Sequence, residues 1–372
     1  MSLSFIFIYL RKIYSDNSLN LKISISFLRI CLSFLILTSC SNTEKKEEVP
    51  STSKDLKEAY KDAFLIGSAV NLEVSSGVDP ISQNIIIQHF NTITPENVMK
   101  AEVVNPAPGL YDFKAADDFV AFGQNNKMFI VGHTLIWHNQ TPAWFFQDEA
   151  ENPNTPEAQI EQMRKHIETV VGRYAGKVQA WDVVNEVIDN DGSYRSETAW
   201  VKSIGNGDEL VKHAFKFASE YAPDTELYYN DFNAWRPEKR DGIMRFVRLL
   251  QNENIRIDGI GIQGHWGLNY PKTEYIEAAI DSLEEFKTFL DPYKHGLPVA
   301  EEEALAKRYA ELFEIFYRKK DKIDRVTLWG LHDGMSWKND YPLFGRTNYP
   351  LLYDRSKQPK LALKAVLDIP NK

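Results

Sequence analysis

The chain has 372 residues, 43% of them hydrophobic and 26% charged, with a formal net charge of -9. That length leaves room for one large core plus extensions, and the composition is that of a globular body. The acidic balance argues against a polyanionic partner, so nucleic acid is not expected.

The first segment reads as a leader. Lys22 and Arg29 precede an apolar stretch over 30–37, which runs into Leu37-Thr38-Ser39-Cys40, a pattern like the processing box of a bacterial lipoprotein. Cleavage ahead of Cys40 and acylation of that cysteine are expected. The product is then an exported lipoprotein, held at a periplasmic or cell-surface membrane through its lipid. A plain signal peptide or a short anchor is the alternative, although the stretch is well under the roughly 20 residues that span a bilayer. Residues 1–21 add a second apolar patch at 5–10 and fit an upstream start read as coding. Cys31 and Cys40 are the two cysteines of the chain, so the body holds no disulfide. The polar run 41–54 has the composition of a solvated tether. The expected organisation is a leader over 1–39, a tether over 40–56 and one barrel domain over 57–372.

From residue 64 onward, β-rich apolar runs alternate with amphipathic helical windows, the pattern of a parallel sheet wrapped by helices. Strands are expected at 64–70, 92–96, 128–137, 178–186, 225–231, 257–265 and 325–333. One helical window spans 156–174, where Ile160, Met163, Ile167, Val170 and Val171 recur on one face. Two further windows, 273–289 and 302–320, follow one another with no strand between them. The fold class is therefore α/β, a (β/α)8 barrel in which the seventh strand is missing.

Polar residues gather at the ends of these runs: Glu96, Asn97 and Lys100; His133 and His138; Asn185 and Glu186; Gln263 and His265; Trp329 and Trp337. Strand ends of such a barrel share one face, so residues distant in sequence converge there. Glu186 follows a largely apolar strand, where lost hydration raises a carboxyl's pKa and suits it to donate a proton. Asn185 beside it can hydrogen-bond a substrate hydroxyl; a cap or ion-pair partner is the plain alternative for this pair. His133 and His138 are five apart, which on an extended strand sends them to opposite faces and disfavours a shared metal. Gln263 and His265, two apart, share a face. Lys100 can donate to hydroxyls, and Trp329 and Trp337 form an aromatic wall or pack in a core. No cofactor and no metal is called for.

Thr94-Pro95-Glu96-Asn97-Val98-Met99-Lys100, Gly132 through Gln140, Trp181-Asp182-Val183-Val184-Asn185-Glu186, Tyr228-Tyr229-Asn230-Asp231, Asp258-Gly259-Ile260-Gly261-Ile262-Gln263 and Thr327-Leu328-Trp329-Gly330 together resemble the glycoside hydrolase family 10 endo-1,4-β-xylanases over about residues 57–368. The resemblance implies a (β/α)8 barrel that cleaves β-1,4-xylan with retention, with xylan and xylo-oligosaccharides as partners. It implies Glu186 as acid/base. It also implies Lys100, His133, Asn185, Gln263, His265, Trp329 and Trp337 as sugar contacts, with Glu96, Asn97, Trp137 and Gln140 nearby. Ala101 stands where a Trp is common. The family's nucleophile lies on the seventh strand, in a motif like Thr-Glu-Leu-Asp, and this chain has none. It passes from Leu283 to Glu284-Glu285-Phe286, whose carboxylates read as a solvated helix face. A missing strand leaves its neighbours with unpaired backbone groups costing roughly 1 to 3 kcal/mol each if buried. The flanking strands are thus expected to close up, to leave a gap filled by water or a loop, or to leave the chain poorly stable. The function expected is an endo-xylanase impaired by the lost nucleophile, with a non-catalytic xylan-binding protein as the alternative. A third account is a deletion introduced in the gene sequence of an active enzyme.

Overall fold

Residues 2–10, 55–267, 271–281, 297–339 and 347–371 are described by the structure, a computed structural model. Its strands, in chain order, are β1 (Ser2–Leu10), β2 (Leu65–Val70), β3 (Thr92–Pro95), β4 (Phe129–Trp137), β5 (Ala180–Asn185), β6 (Glu226–Phe232), β7 (Gly259–Gly267) and β8 (Ile323–Leu328). The last seven are the strands that hydrophobic patterning locates. β8 stops short of the expected residue 333 because the chain turns at Gly330, whose φ of 125° lies in a region side chains rarely adopt.

The strands form a closed barrel in the order β1-β7-β6-β5-β4-β3-β2-β8. Neighbours from β2 to β8 pair in parallel, and helices such as Pro156–Arg173, Gly207–Tyr221 and Val299–Arg318 cover the outside. Local sequence sets their starts. The Thr155 side chain accepts the Ala158 backbone N–H at 3.3 Å and Asn206 accepts that of Asp208 at 2.8 Å, meeting donors that a helix start otherwise leaves orphaned. Along Pro156–Arg173, Met163, Ile167, Val170 and Val171 are buried against the sheet.

The gap expected between the sixth and eighth strands is occupied. Neither closure of the flanking strands nor a loop fills it: β1 lies between β7 and β8, antiparallel to both. Its alternation explains the fit. Ile6 and Ile8 pack outward into the layer under the helices, while Phe7 and Tyr9 pack inward with Ala69, Val131, Ala180, Tyr228 and Trp329. These four β1 side chains are no more than 3% exposed, and burial of each is worth roughly 1.5–3 kcal/mol. Residues 2–10 come from the stretch read as leader, and in the structure they belong to the barrel. Cys31, Cys40, the tether up to residue 54, the junction carboxylates Glu284 and Glu285, and the helical window beyond Asp281 lie outside the described residues.

At the floor of the barrel, Arg325 is almost fully buried and its guanidinium sits 4.6 Å from the rings of Tyr9 and Phe129 and 4.7 Å from that of Tyr228. Its Nη1 donates to Glu226 Oε2 at 2.8 Å. A charge enclosed in this way needs both the carboxylate and the aromatic faces to offset lost hydration.

Candidate active site

A cleft of about 920 Å³ opens at the C-terminal ends of β3 to β8. Glu96, Asn97, Lys100, His133, Trp137, Gln140, Asn185, Glu186, Gln263, His265, Trp329 and Trp337 all line it. Every residue that the motifs nominate for the site is therefore brought to one cavity.

Glu186 is fixed from several sides. It takes a left-handed backbone conformation with φ of 59°, uncommon for a residue with a side chain and typical of sites where surroundings over-determine the geometry. Its backbone N–H donates to Asn230 O at 2.9 Å, and its carbonyl accepts from Arg195 Nε at 2.9 Å. The carboxylate accepts from Trp137 Nε1 at 3.0 Å and from Gln263 Nε2 at 2.8 Å. Gln263 Nε2 also donates to Asn185 Oδ1 at 3.1 Å, and Asn185 Oδ1 accepts from Asn230 Nδ2 at 2.9 Å. His265 donates from Nε2 to Gln263 Oε1 at 2.9 Å. Burial pushes the His265 imidazole down to about 3, with Lys338 and Lys239 adding to the effect, so it is neutral at ordinary pH and acts through hydrogen bonds.

On the other wall, Lys100 Nζ donates to Asn97 Oδ1 at 2.8 Å and to Gln140 Oε1 at 2.6 Å and lies 4.7 Å from the centre of the Trp137 ring. Burial lowers its ammonium to about 8 against the opposing pull of Glu96 and Glu186. Burial likewise raises the Glu96 carboxyl. Behind His133, the Nδ1 atom is 2.8 Å from Asp182 Oδ2, which also accepts from the Tyr9 hydroxyl at 3.1 Å. His133 meets Trp329 edge to face with centroids 5.0 Å apart, and His265 meets Trp337 similarly at 5.9 Å.

One geometric expectation fails. His138 lines the same cleft as His133, because β4 ends at Trp137 and the β4–β5 ladder shifts register between His133 and Ile136, so strict alternation does not carry across the interval. Three participants went unread in the sequence. Phe7 lines the cleft and packs on Trp329 at 4.3 Å between centroids; nothing marks residues 2–10 as barrel except their alternation. Asp182 could have been found inside the quoted Trp181–Glu186 run as a buried acid needing a partner. Arg195, which holds the Glu186 carbonyl, comes from a loop without any signal.

Chemically, the arrangement offers one fixed carboxyl facing a long cleft walled by Trp rings and lined with amide, imidazole and ammonium groups, a combination suited to stacking and hydrogen-bonding a chain of sugars. Among the described residues, the carboxylates lining the cleft are Glu96 and Glu186. β1 presents none, its sequence being SLSFIFIYL.

Comparison with known proteins agrees with this chemistry. A family model described as "Glycosyl hydrolase family 10" matches residues 55–369. "Endo-1,4-beta-xylanase A" of Xylanibacter ruminicola is 36% identical, with 92% of this chain and 98% of the relative covered. "Beta-1,4-xylanase" of Dictyoglomus thermophilum is 37% identical over 92% of this chain and 98% of its own. Among solved structures, a GH10 endoxylanase from a sugarcane soil metagenome superposes with a TM-score of 0.81 at 39% identity, covering 85% of this chain and 99% of that one.

Proposed function

The chain belongs to glycosyl hydrolase family 10, and on that footing we propose that it binds β-1,4-xylan and cleaves it internally, with Glu186 as proton donor and with turnover far below that of a complete two-carboxylate site. The convergence of the motif residues on one cleft is the observation that carries this reading. In retaining hydrolysis, an acid protonates the glycosidic oxygen as a second carboxylate about 5 to 5.5 Å away attacks the anomeric carbon; water then releases the sugar, and the first group takes back a proton. Glu186 is placed to serve the first half. Gln263 and Trp137, which donate to the Glu186 carboxylate, and Asn185, which accepts from Gln263, support contacts with the sugar at the breaking bond, and Lys100 over the Trp137 ring supports one beside them. The attacking carboxylate is wanted in that same first half, and the lane between β7 and β8 holds Phe7 instead; water must then attack the anomeric carbon as the glycosidic bond breaks, its proton passing to solvent while Glu186 protonates the leaving oxygen. This supports the slow rate.

The test is the release of reducing ends from xylan by the parent chain and by Glu186→Gln. Slow release in the parent that vanishes in the variant is expected. Absence of release, with tryptophan fluorescence still responding to xylo-oligosaccharides, would move the assignment to a xylan-binding protein, the second reading that Phe7 in the cleft favours. No response in either assay defeats both.

The leader supports a further element of this proposal: Cys40 is acylated and tethers the body to a membrane. Expression in a bacterial host with radiolabelled palmitate should label the parent and leave Cys40→Ala unlabelled; equal labelling of the two would refute it.

A further inference from the structure

The lane between β7 and β8 differs from every other in the barrel. All other neighbours pair in parallel, whereas the strand in this lane runs the opposite way. β1 pairs with β7 from Ser2↔Gly267 to Leu10↔Ile260, and with β8 from Ile6↔Leu328 to Leu10↔Ile323. Both ladders slip once, between Ser4 and Ile6 on one side and between Tyr9 and Leu10 on the other. The β4–β5 and β5–β6 ladders slip once each as well, so it is the strand's direction that sets this lane apart.

Two ladders of backbone hydrogen bonds are how a sheet captures an extended peptide, with alternate side chains supplying selectivity. The selecting positions are on hand: pockets for Ile6 and Ile8 on the helix side, the Trp329 face for Phe7, and the Asp182 carboxylate for the Tyr9 hydroxyl. We propose that this lane is a strand-accepting site, that Ser2–Leu10 is its resident peptide, and that the peptide is held by its own pairing, so that it stays in the barrel after the backbone between it and residue 55 is cut. The partner class is an extended segment with apolar residues facing outward and, facing inward, an aromatic ring followed two residues later by a hydroxyl donor. Its occupant is also part of the sugar cleft, since Tyr9 steadies Asp182 and Asp182 steadies His133. Processing ahead of Cys40 removes this segment together with the leader, so the strand resides in the unprocessed chain.

The experiment uses the full chain with a recognition site for a specific protease inserted within 41–53. After cleavage, native size-exclusion chromatography with mass spectrometry is expected to show the N-terminal fragment eluting with the body. A labelled synthetic peptide of residues 2–10 should then exchange into the cleaved body, while a scrambled isomer of the same composition should not. Elution of the fragment apart from the body overturns the proposal, as does equal uptake of both peptides or of neither. Because none of these readouts involves hydrolysis, a failure here is separable from failure of the xylanase assignment.

Discussion

Lys100 illustrates how a single side chain ties burial to function. It is 7% exposed, its ammonium contacts Asn97 and Gln140, and burial brings its pKa from 10.5 down to about 8. In the unfolded chain the group keeps its proton to about 10.4. Between those values the unfolded state therefore binds more protons, and this group adds stability as pH rises from about 8 to 10.5. Its role as a cationic donor to sugar hydroxyls runs the other way, being complete below about 8 and lost above it. Affinity for xylotriose, measured by fluorescence titration, is expected to fall several-fold between pH 7 and 9 in the parent and to be weaker and flat with pH in Lys100→Met. A parent whose affinity ignores pH over that range would contradict the assignment. The residues of this kind were legible in the sequence because each ends an apolar run. His138 was misjudged, and Asp182 unread, because register shifts in the β4–β5 and β5–β6 ladders break the simple alternation on which facing is inferred.

At the scale of the element, the β4–β5 pair depends on close approach. Gly132 lies opposite Trp181, and a Cβ built there would come within 2.1 Å of Trp181 Cε3, a ring that is 1% exposed. No side chain fits without moving a rigid, buried indole. Gly132→Ala should therefore cost about 1–3 kcal/mol from overpacking and lower the thermal midpoint by roughly 2–4 °C, as read by circular dichroism; an unchanged midpoint would show that the strands separate more easily than this packing implies. Strand starts were legible because apolar β-branched runs bounded by turn residues have few other ways to bury themselves. The end of β8 was not, since the turn at Gly330 interrupts a run that continues as apolar sequence through Leu331.

On the scale of the whole molecule, the closed barrel was legible but its eighth member was not. Patterning located the seven parallel strands, while the interval between the helical windows at 273–289 and 302–320 lies in part outside the described residues. It could not show which distant segment takes the open lane, because pairing across more than two hundred residues leaves no local trace, and a short alternating run near a leader is equally consistent with an export signal. In the structure the consequences are shared by the whole site: β1 closes both ladders, seats Arg325 through Tyr9, and reaches His133 through Asp182. Hydrogen–deuterium exchange of the intact chain, followed by mass spectrometry on peptides covering Ile6 to Leu10, measures this directly. Amides there are predicted to be protected to the same degree as those of β7 and β8, with protection lost in one cooperative step on adding denaturant. Exchange at free-peptide rates over Ile6 to Leu10, with β7 and β8 still protected, would contradict a barrel closed by its own N-terminal strand.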